Sequence, residues 1–205
     1  MVNCRCLFPG PLLELKKELE TALRKQYCDL PRKELKGLPP MDVYVAYYKR
    51  FGYTYHVLGQ LESIIKGKGI PAELPLVQAM FMAEMKNLLL TAVHDLEKVK
   101  EPLKLLQATG EEHYRTLSGR EVATVPGDAM IADQEDVISS ILRGPDQRTC
   151  IDANSCGAVY IVYAPPGIEE GTILLHLNDL ETFISAFAPE AETQSRQVWM
   201  HAPGD

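Results

Sequence analysis

The side chains of this 205-residue chain that can carry chemistry cluster in three places. His94 and Asp95 set an imidazole beside a carboxylate, the pairing used in general base catalysis. Sequence neighbours seldom face each other well enough for that work. A capping Asp95 next to a packed or exposed His94 is the plainer reading. Arg143, Arg148 and Thr149 lie close to Cys150, a set able to line a cleft and equally at home in a solvated turn. Lys66-Gly67-Lys68-Gly69 places backbone donors beside two cations, which suits a phosphate. The same residues fit a helix C-terminus, with glycines in the left-handed region and lysines complementing the dipole. His113, His176 and His201 sit in acidic or breaker-rich surroundings and carry no signal.

No standard catalytic signature accompanies these residues. The chain has no GxSxG, no P-loop, no HExxH and no GxGxxG after a strand. The five cysteines (Cys4, Cys6, Cys28, Cys150, Cys156) are odd in number and show no CxxC spacing. The C-x-C at 4–6 has no nearby His or Cys pair to close a tetrahedron, so neither metal nor cofactor is expected. In a reducing compartment such thiols are small hydrophobes or idle surface groups.

The net charge of −7 argues against a bulk electrostatic grip on nucleic acid, DNA in particular. It is unevenly spread. Residues 1–104 carry 16 basic and 12 acidic side chains, and residues 105–205 carry 5 and 16. Any nucleic-acid contact therefore belongs on the first half. No apolar run approaches membrane-spanning length. The first residues lack a signal-peptide core and break at Pro9, so a cytoplasmic protein is expected.

The elements that must position these groups follow from periodicity. Leu12, Leu15, Leu19, Leu23 and Tyr27 recur at three- and four-residue steps, predicting an amphipathic helix over 11–27. Residues 29–40 are breaker-rich and read as a connection. Helices are expected at 42–50, at 56–66 and at 75–90, the last apolar on most sides and therefore buried. After Asp95 short runs alternate with turn signals, and Ala-Val-Tyr-Ile-Val-Tyr at 158–163 is the clearest strand. Asn178 and Glu181 form a capping-box-like start for a final helix bearing Leu180, Phe183, Ile184 and Phe187. A helical N-terminal half and a strand-rich C-terminal half make an α+β chain.

The order of segments resembles that of stand-alone B3/B4 domain proteins. These are similar to the editing and tRNA-binding B3/B4 region of the bacterial phenylalanyl-tRNA synthetase β subunit. The resemblance is carried by Tyr48-Lys49-Arg50-Phe51-Gly52, by Ile65-Lys66-Gly67-Lys68-Gly69-Ile70-Pro71 and by Pro75-Leu76-Val77. Farther on come Asp95-Leu96-Glu97-Lys98-Val99, Gly127-Asp128 leading to Ala132-Asp133, and Asp146-Gln147-Arg148-Thr149 before the strand at 158–162. Each piece is short, and their joint order over about residues 45–190 makes the match. Residues 1–40 fall outside it.

The resemblance implies a layered α+β fold with a β-sandwich of unusual topology. It divides the chain into a helical extension (1–40), a B3/B4-like domain (41–190) and a loose tail (191–205). It also implies binding of tRNA or aminoacyl-tRNA, and hydrolysis of a misattached amino acid. Such a reaction needs a selective pocket, donors for the ester carbonyl and an oriented water. By spacing, the Thr-Asn pair of the synthetase pocket falls on Met80 and Phe81, its histidine on Ala92, and the glutamate that reads the tyrosine hydroxyl on Ile161. The tyrosine-selecting groups are thus absent, and any specificity is for something other than tyrosine.

The residues expected to act are therefore His94 or Asp95 to place water, and Arg148 and Thr149 near the acyl group. Met80, Phe81, Ala92 and Ile161 are expected around the side chain, and Lys49, Arg50, Lys66 and Lys68 near phosphates. Against this stands a non-catalytic module binding a small apolar, amino-acid-like ligand or a protein partner, with Met80, Phe81 and Ile161 as plain core. A further alternative makes residues 12–27 a docking stripe for a synthetase.

Overall fold

The computed structural model describes residues 2–3, 9–71 and 74–199. Cys4, Cys6 and His201 lie outside the described residues. The elements run in the order β1 (Val2–Asn3), α1 (Pro9–Tyr27), α2 (Arg32–Leu35), α3 (Met41–Arg50), α4 (His56–Ile65) and α5 (Pro75–Asn87). Seven strands follow: β2 (Thr91–Asp95), β3 (Lys104–Gln107), β4 (His113–Arg115), β5 (Glu121–Ala123), β6 (Ala129–Ala132), β7 (Val137–Ser140) and β8 (Gly144–Pro145). The chain closes with β9 (Gly157–Val162), α6 (Glu170–Phe187) and β10 (Glu192–Thr193). A helical first half therefore precedes a strand-rich second half, as the α+β reading requires.

Helix α5 is the centre of the helical layer. Leu76, Ala79, Met80, Met82, Ala83 and Met85 are all buried, so it has no solvent face of normal width. It packs on α1, α4 and α6 and on strand β2. Helix α1 buries Leu12, Leu23 and Tyr27 in the same core cluster that α5 and α6 occupy. In α6 the buried residues Ile173, His176, Leu180, Phe183, Ile184 and Phe187 recur at three- and four-residue steps.

Two four-stranded antiparallel sheets form the rest, in the orders β10-β1-β9-β2 and β3-β6-β7-β8, with β4-β5 as a separate hairpin. Side chains alternate across β2 and β9. Thr91 reaches His176 of α6, and Tyr160 donates to the Leu76 carbonyl of α5, so this face meets the helices. Ala92, His94, Ile161 and Tyr163 share the opposite face, where the Tyr163 hydroxyl meets Ser139 of the second sheet. Three tyrosines of α3 peg the layers together. The hydroxyls of Tyr44, Tyr47 and Tyr48 donate to the Tyr163 carbonyl, the Asp128 carboxylate and the Ile141 carbonyl.

Two boundaries differ from the periodicity. The helix expected over 75–90 ends at Asn87, where Leu88 takes a left-handed conformation (φ 58°) and the chain enters β2. A five-residue run buried on both faces cannot be told from a buried helix by period alone, so the strand at 91–95 is missed. Helix α6 begins at Glu170, not at Asn178. Asn178 lies mid-helix, and its side-chain oxygen accepts from Arg196 instead of capping. The first two turns of α6 expose Leu174 and Leu175, which blurs their helical stripe. Residues 192–196 are tied down by β10 pairing with β1 and by Arg196 donating to the Leu174 carbonyl at 2.7 Å. No described helix is long and apolar enough to cross a membrane.

One turn gives a sharp test of the sheet region. Gly110 has φ +94°, and a Cβ there would lie 2.6 Å from Pro126 Cγ. Gly119 has φ +76° but open space around the same position. Gly110→Ala should lower unfolding free energy by roughly 2–4 kcal/mol from strain plus overpacking, and Gly119→Ala by about 1–2 from strain alone. Urea unfolding of the two variants measures the difference.

Candidate functional site

Among the residues singled out by sequence, His94 and Thr149 meet in the interior. His94 Nδ1 lies 2.7 Å from Thr149 Oγ1, and the Thr149 hydroxyl donates to the Asp146 carboxylate. Since a hydroxyl has one hydrogen, His94 Nδ1 carries the proton of this contact, and Nε2 is a bare acceptor. Nε2 is buried with no partner among the described residues. Burial, helped by the Arg148 cation, pushes His94 down to about 4, so the ring is neutral at pH 7. The acid in this network is Asp146, not Asp95.

Asp95 points elsewhere because strand neighbours alternate. Its carboxylate accepts from the Glu97 N–H at 2.9 Å and from Ser155 Oγ at 2.5 Å, and it lies 3.4 Å from Lys98 Nζ. It closes the turn after β2. Its backbone N–H meets the Thr149 carbonyl at 2.8 Å, which docks the 146–150 segment onto β2. Arg148 extends the network outward, donating to Asp133 at 2.8 Å and to the Lys98 carbonyl at 3.2 Å, with Glu135 3.2 Å away. His94 and Thr149 are both 0% exposed. A general base must reach the proton it takes. As arranged, this cluster holds a loop against a sheet.

The four expected pocket residues are divided between layers. Ala92 and Ile161 are direct cross-strand partners on the face shared with His94. Met80 and Phe81 belong to α5, on the helical side of the same sheet. Met80 is buried at 8% exposure, and Phe81 is half-buried.

Phe81 instead forms one wall of a groove of about 410 Å³ between α4 and α5. Met85, one turn on, continues that wall, and Gly59, Gln60, Ser63 and Ile64 of α4 form the other. Lys68 closes one end and His56 lies at the other. Gln60 Oε1 is buried without a partner among the described residues. Thus Phe81 and Lys68, drawn from two different expected sites, share this groove.

The Lys66–Gly69 turn has the geometry of a helix end. Gly67 has φ +94°, its N–H meets the Ile64 carbonyl at 2.9 Å, and the Lys68 N–H meets Ser63 at 3.0 Å. Arg24 of α1 then satisfies the Ile64 and Lys68 carbonyls at 2.9 and 3.1 Å. Lys66 and Lys68 are exposed, and their ammonium groups have no partner among the described residues. Lys16 Nζ comes within 3.9 Å of the position a Cβ on Gly69 would take, so a third cation borders the turn. Lys49 and Arg50 sit beyond the other end of the ten-residue α4, about 15 Å of helix away. Arg50 stacks over Tyr47 and Phe51 with centroid distances of 5.0 and 4.6 Å.

A second buried polar network, invisible in the sequence, joins α5, α6 and β2. Glu84 Oε1 accepts the Thr91 N–H at 3.1 Å, and its Oε2 has no partner among the described residues. Thr91 Oγ1 meets His176 Nε2 at 2.8 Å, and Asn87 joins His176 Nδ1 to Asp179. Burial raises Glu84 to about 8 and lowers His176 to about 4. Of the described residues, no group of three His, Cys, Asp or Glu is placed to hold a metal ion.

No family model and no curated protein matches the chain. Among solved structures it is similar to an N-terminal fragment of the phenylalanyl-tRNA synthetase β subunit from Pyrococcus horikoshii. The identity is 16%, the TM-score 0.48, and the match covers 57% of this chain and 42% of that one. It is a likeness of fold alone, and the chain spans less than half of that structure.

The buried ionisable groups predict a stability profile. Neutral His94 and His176 contribute stability that is present above pH 6.5 and is lost as pH falls toward their folded values near 4. Glu84 works in the other direction. Its stabilisation is full below its ordinary value of 4.5 and disappears as pH rises through about 8. Burial shifts His56 in the same direction as these histidines and Asp128 and Asp146 in the same direction as the glutamate, so the acid limb is a balance of opposed groups. On the alkaline side the glutamate dominates, so unfolding free energy should decline from about pH 6.5 to 9, and Glu84→Gln should remove that decline. Denaturant unfolding across this range reads the effect.

Proposed function

We propose that this protein is a B3/B4-type module that binds the aminoacyl end of tRNA without hydrolysing it. The observation that carries the reading is the pair of exposed lysines, Lys66 and Lys68, which have no partner among the described residues and lie beside an aromatic-walled groove. The ordered run of B3/B4-like segments over residues 45–190 supports it independently. Phosphate contacts by flexible cations supply affinity that is electrostatic and largely independent of sequence. An aromatic and apolar wall supplies the surface against which a terminal base or side chain packs.

The acidic second half supports weak, local contact over an extended grip. Those residues carry 16 acidic against 5 basic side chains. Binding is therefore expected at the α4 end and not across the sheets. The burial of the His94–Thr149–Asp146 cluster supports the reading without hydrolysis, since it offers an ester no approach to His94.

The test is filter binding of aminoacyl-tRNA across a salt series. Affinity should fall steeply with salt, and Lys66→Glu with Lys68→Glu should flatten the log–log slope by about 1.5–2 while weakening all tRNAs alike. Charged tRNAs incubated with the protein should lose amino acid at the buffer rate. Salt-insensitive binding, or rapid release abolished by His94→Ala, contradicts the reading.

A further inference from the structure

The second sheet ends in a strand that its own fold leaves open. Strand β3 stands at the edge of the order β3-β6-β7-β8 and pairs with β6 alone among the described strands. At the other edge β8 lies against β2. All of β3 is exposed, with Leu105 at 64% and Leu106 at 42%. Successive side chains point to opposite faces, so each face of the edge carries one bare leucine. Open edges are normally guarded by proline, by charge or by a covering element, because their unpaired amides template another strand. The run Lys104-Leu105-Leu106-Gln107 holds one charge and no proline.

The register says which backbone groups are free. The Ala108 N–H donates to the Asp128 carbonyl at 2.8 Å, continuing the β3–β6 ladder by one residue. Bonding alternates along an antiparallel pair, so Lys104 and Leu106 also turn their N–H and C=O groups toward β6. Leu105 and Gln107 turn theirs to the open edge. The two ends of the strand carry opposite charge. Lys104 opens it, and Glu111 lies just past its end, in the turn made by Gly110 at φ +94°. Both side chains are exposed and have no partner among the described residues. Glu112, next to Glu111, is taken up by the Thr109 and Thr124 hydroxyls.

We infer that the β3 edge is an interface for a second copy of this chain, added antiparallel about a twofold axis at Leu106. In that register Leu105 of each copy stands opposite Gln107 of the other, and each such pair exchanges two backbone hydrogen bonds. The two Leu106 side chains meet across the axis as a close cross-strand pair. Lys104 stands opposite Ala108 of the second copy, beside the turn that carries that copy's Glu111. Cation therefore meets acid at both ends of the ladder, whereas a parallel pairing would set Lys104 beside Lys104. The strand is complementary to itself, in backbone and in charge. Four residues a side fall far below the roughly 20–30 of a standard interface, so the dimer is weak and forms as concentration rises. The inference is independent of the RNA reading, whose lysines lie in the helical layer.

The experiment is sedimentation of the full chain from about 10 μM to 0.5 mM, with amide exchange read at both ends of the series. The average mass should rise toward that of a dimer, and the Leu105 and Gln107 amides should gain protection as it does. Leu106→Lys sets two cations face to face at the axis and should hold the protein monomeric throughout. Charge reversal keeps the test independent of any effect of that change on folding. Lys104→Glu alone and Glu111→Lys alone each bring like charges together at both ends, and each should weaken association by roughly threefold to tenfold. An equimolar mixture of the two variants should recover the parent's association, because only the mixed pair restores opposite charge at both ends. A monomer at the highest concentration overturns the inference and leaves the edge to a different extended partner. A dimer that Leu106→Lys leaves intact, or that is indifferent to the charge reversals, or that the mixture fails to restore, overturns it as well. None of these results bears on the proposed function, since Leu106→Lys should bind tRNA as the parent does.

Discussion

The described fold is arranged around a helix with only a narrow outside. Helix α5 touches α1, α4, α6 and β2, and eight of its thirteen residues are buried. An apolar helix of this kind is stable only when neighbours cover it on several sides. The long helices α1 and α6 supply two of those sides, α4 a third and the β2–β9 pair a fourth. The helix must also end abruptly, because its next residues form a strand beneath it. Leu88 makes that turn at positive φ, held by its own N–H on the Glu84 carbonyl at 2.7 Å. The Glu84 side chain meanwhile accepts the first N–H of β2. A buried carboxyl thus serves as the joint between layers, and burial keeps it protonated near neutral pH.

That constraint explains where the candidate residues end up. The sheet that α5 covers presents Thr91 and Tyr160 to the helices and Ala92, His94 and Ile161 to the other sheet. Residues that looked like one pocket are parted by a layer of backbone. His94 falls on the sealed side, where a neutral ring bonded through Thr149 to Asp146 pins a loop. Phe81 falls at the margin of α5, where α4 leaves the helix partly open. Of the residues singled out by sequence, Phe81 and Lys68 are thus reachable from the groove in the helical layer, whereas His94 and Thr149 belong to a closed polar network at a junction between layers.

How much of this the sequence disclosed depends on the period of each segment. The helices with one clean apolar stripe, α1 and α4, were legible from Leu12 to Tyr27 and from Val57 to Ile64. The strand Thr91–Asp95 was not, because a segment buried on both faces loses its alternation. The start of α6 was hidden by Leu174 and Leu175, which are exposed at 38% and 55% and break the stripe. For the site, the Lys-Gly-Lys-Gly run pointed to Lys66 and Lys68, and the family resemblance pointed to Phe81, without showing that Phe81 and Lys68 share one groove. Gln60 was missed altogether. Its distinguishing feature is an unpaired buried oxygen, a property of packing that composition does not record. Gly59 was the available signal: a glycine inside a well-formed helix with no turn to serve.

The central claim is that ligand engages the groove and basic turn between α4 and α5 and leaves the His94 cluster untouched. The most direct measurement is amide hydrogen exchange of the intact protein with and without an aminoacylated acceptor-stem RNA. Protection confined to residues 56–71 and 76–86, with exchange at 92–96 and 145–150 unchanged, is the predicted result. Protection centred on His94 and Thr149, with the α4–α5 segments unaffected, would contradict the account.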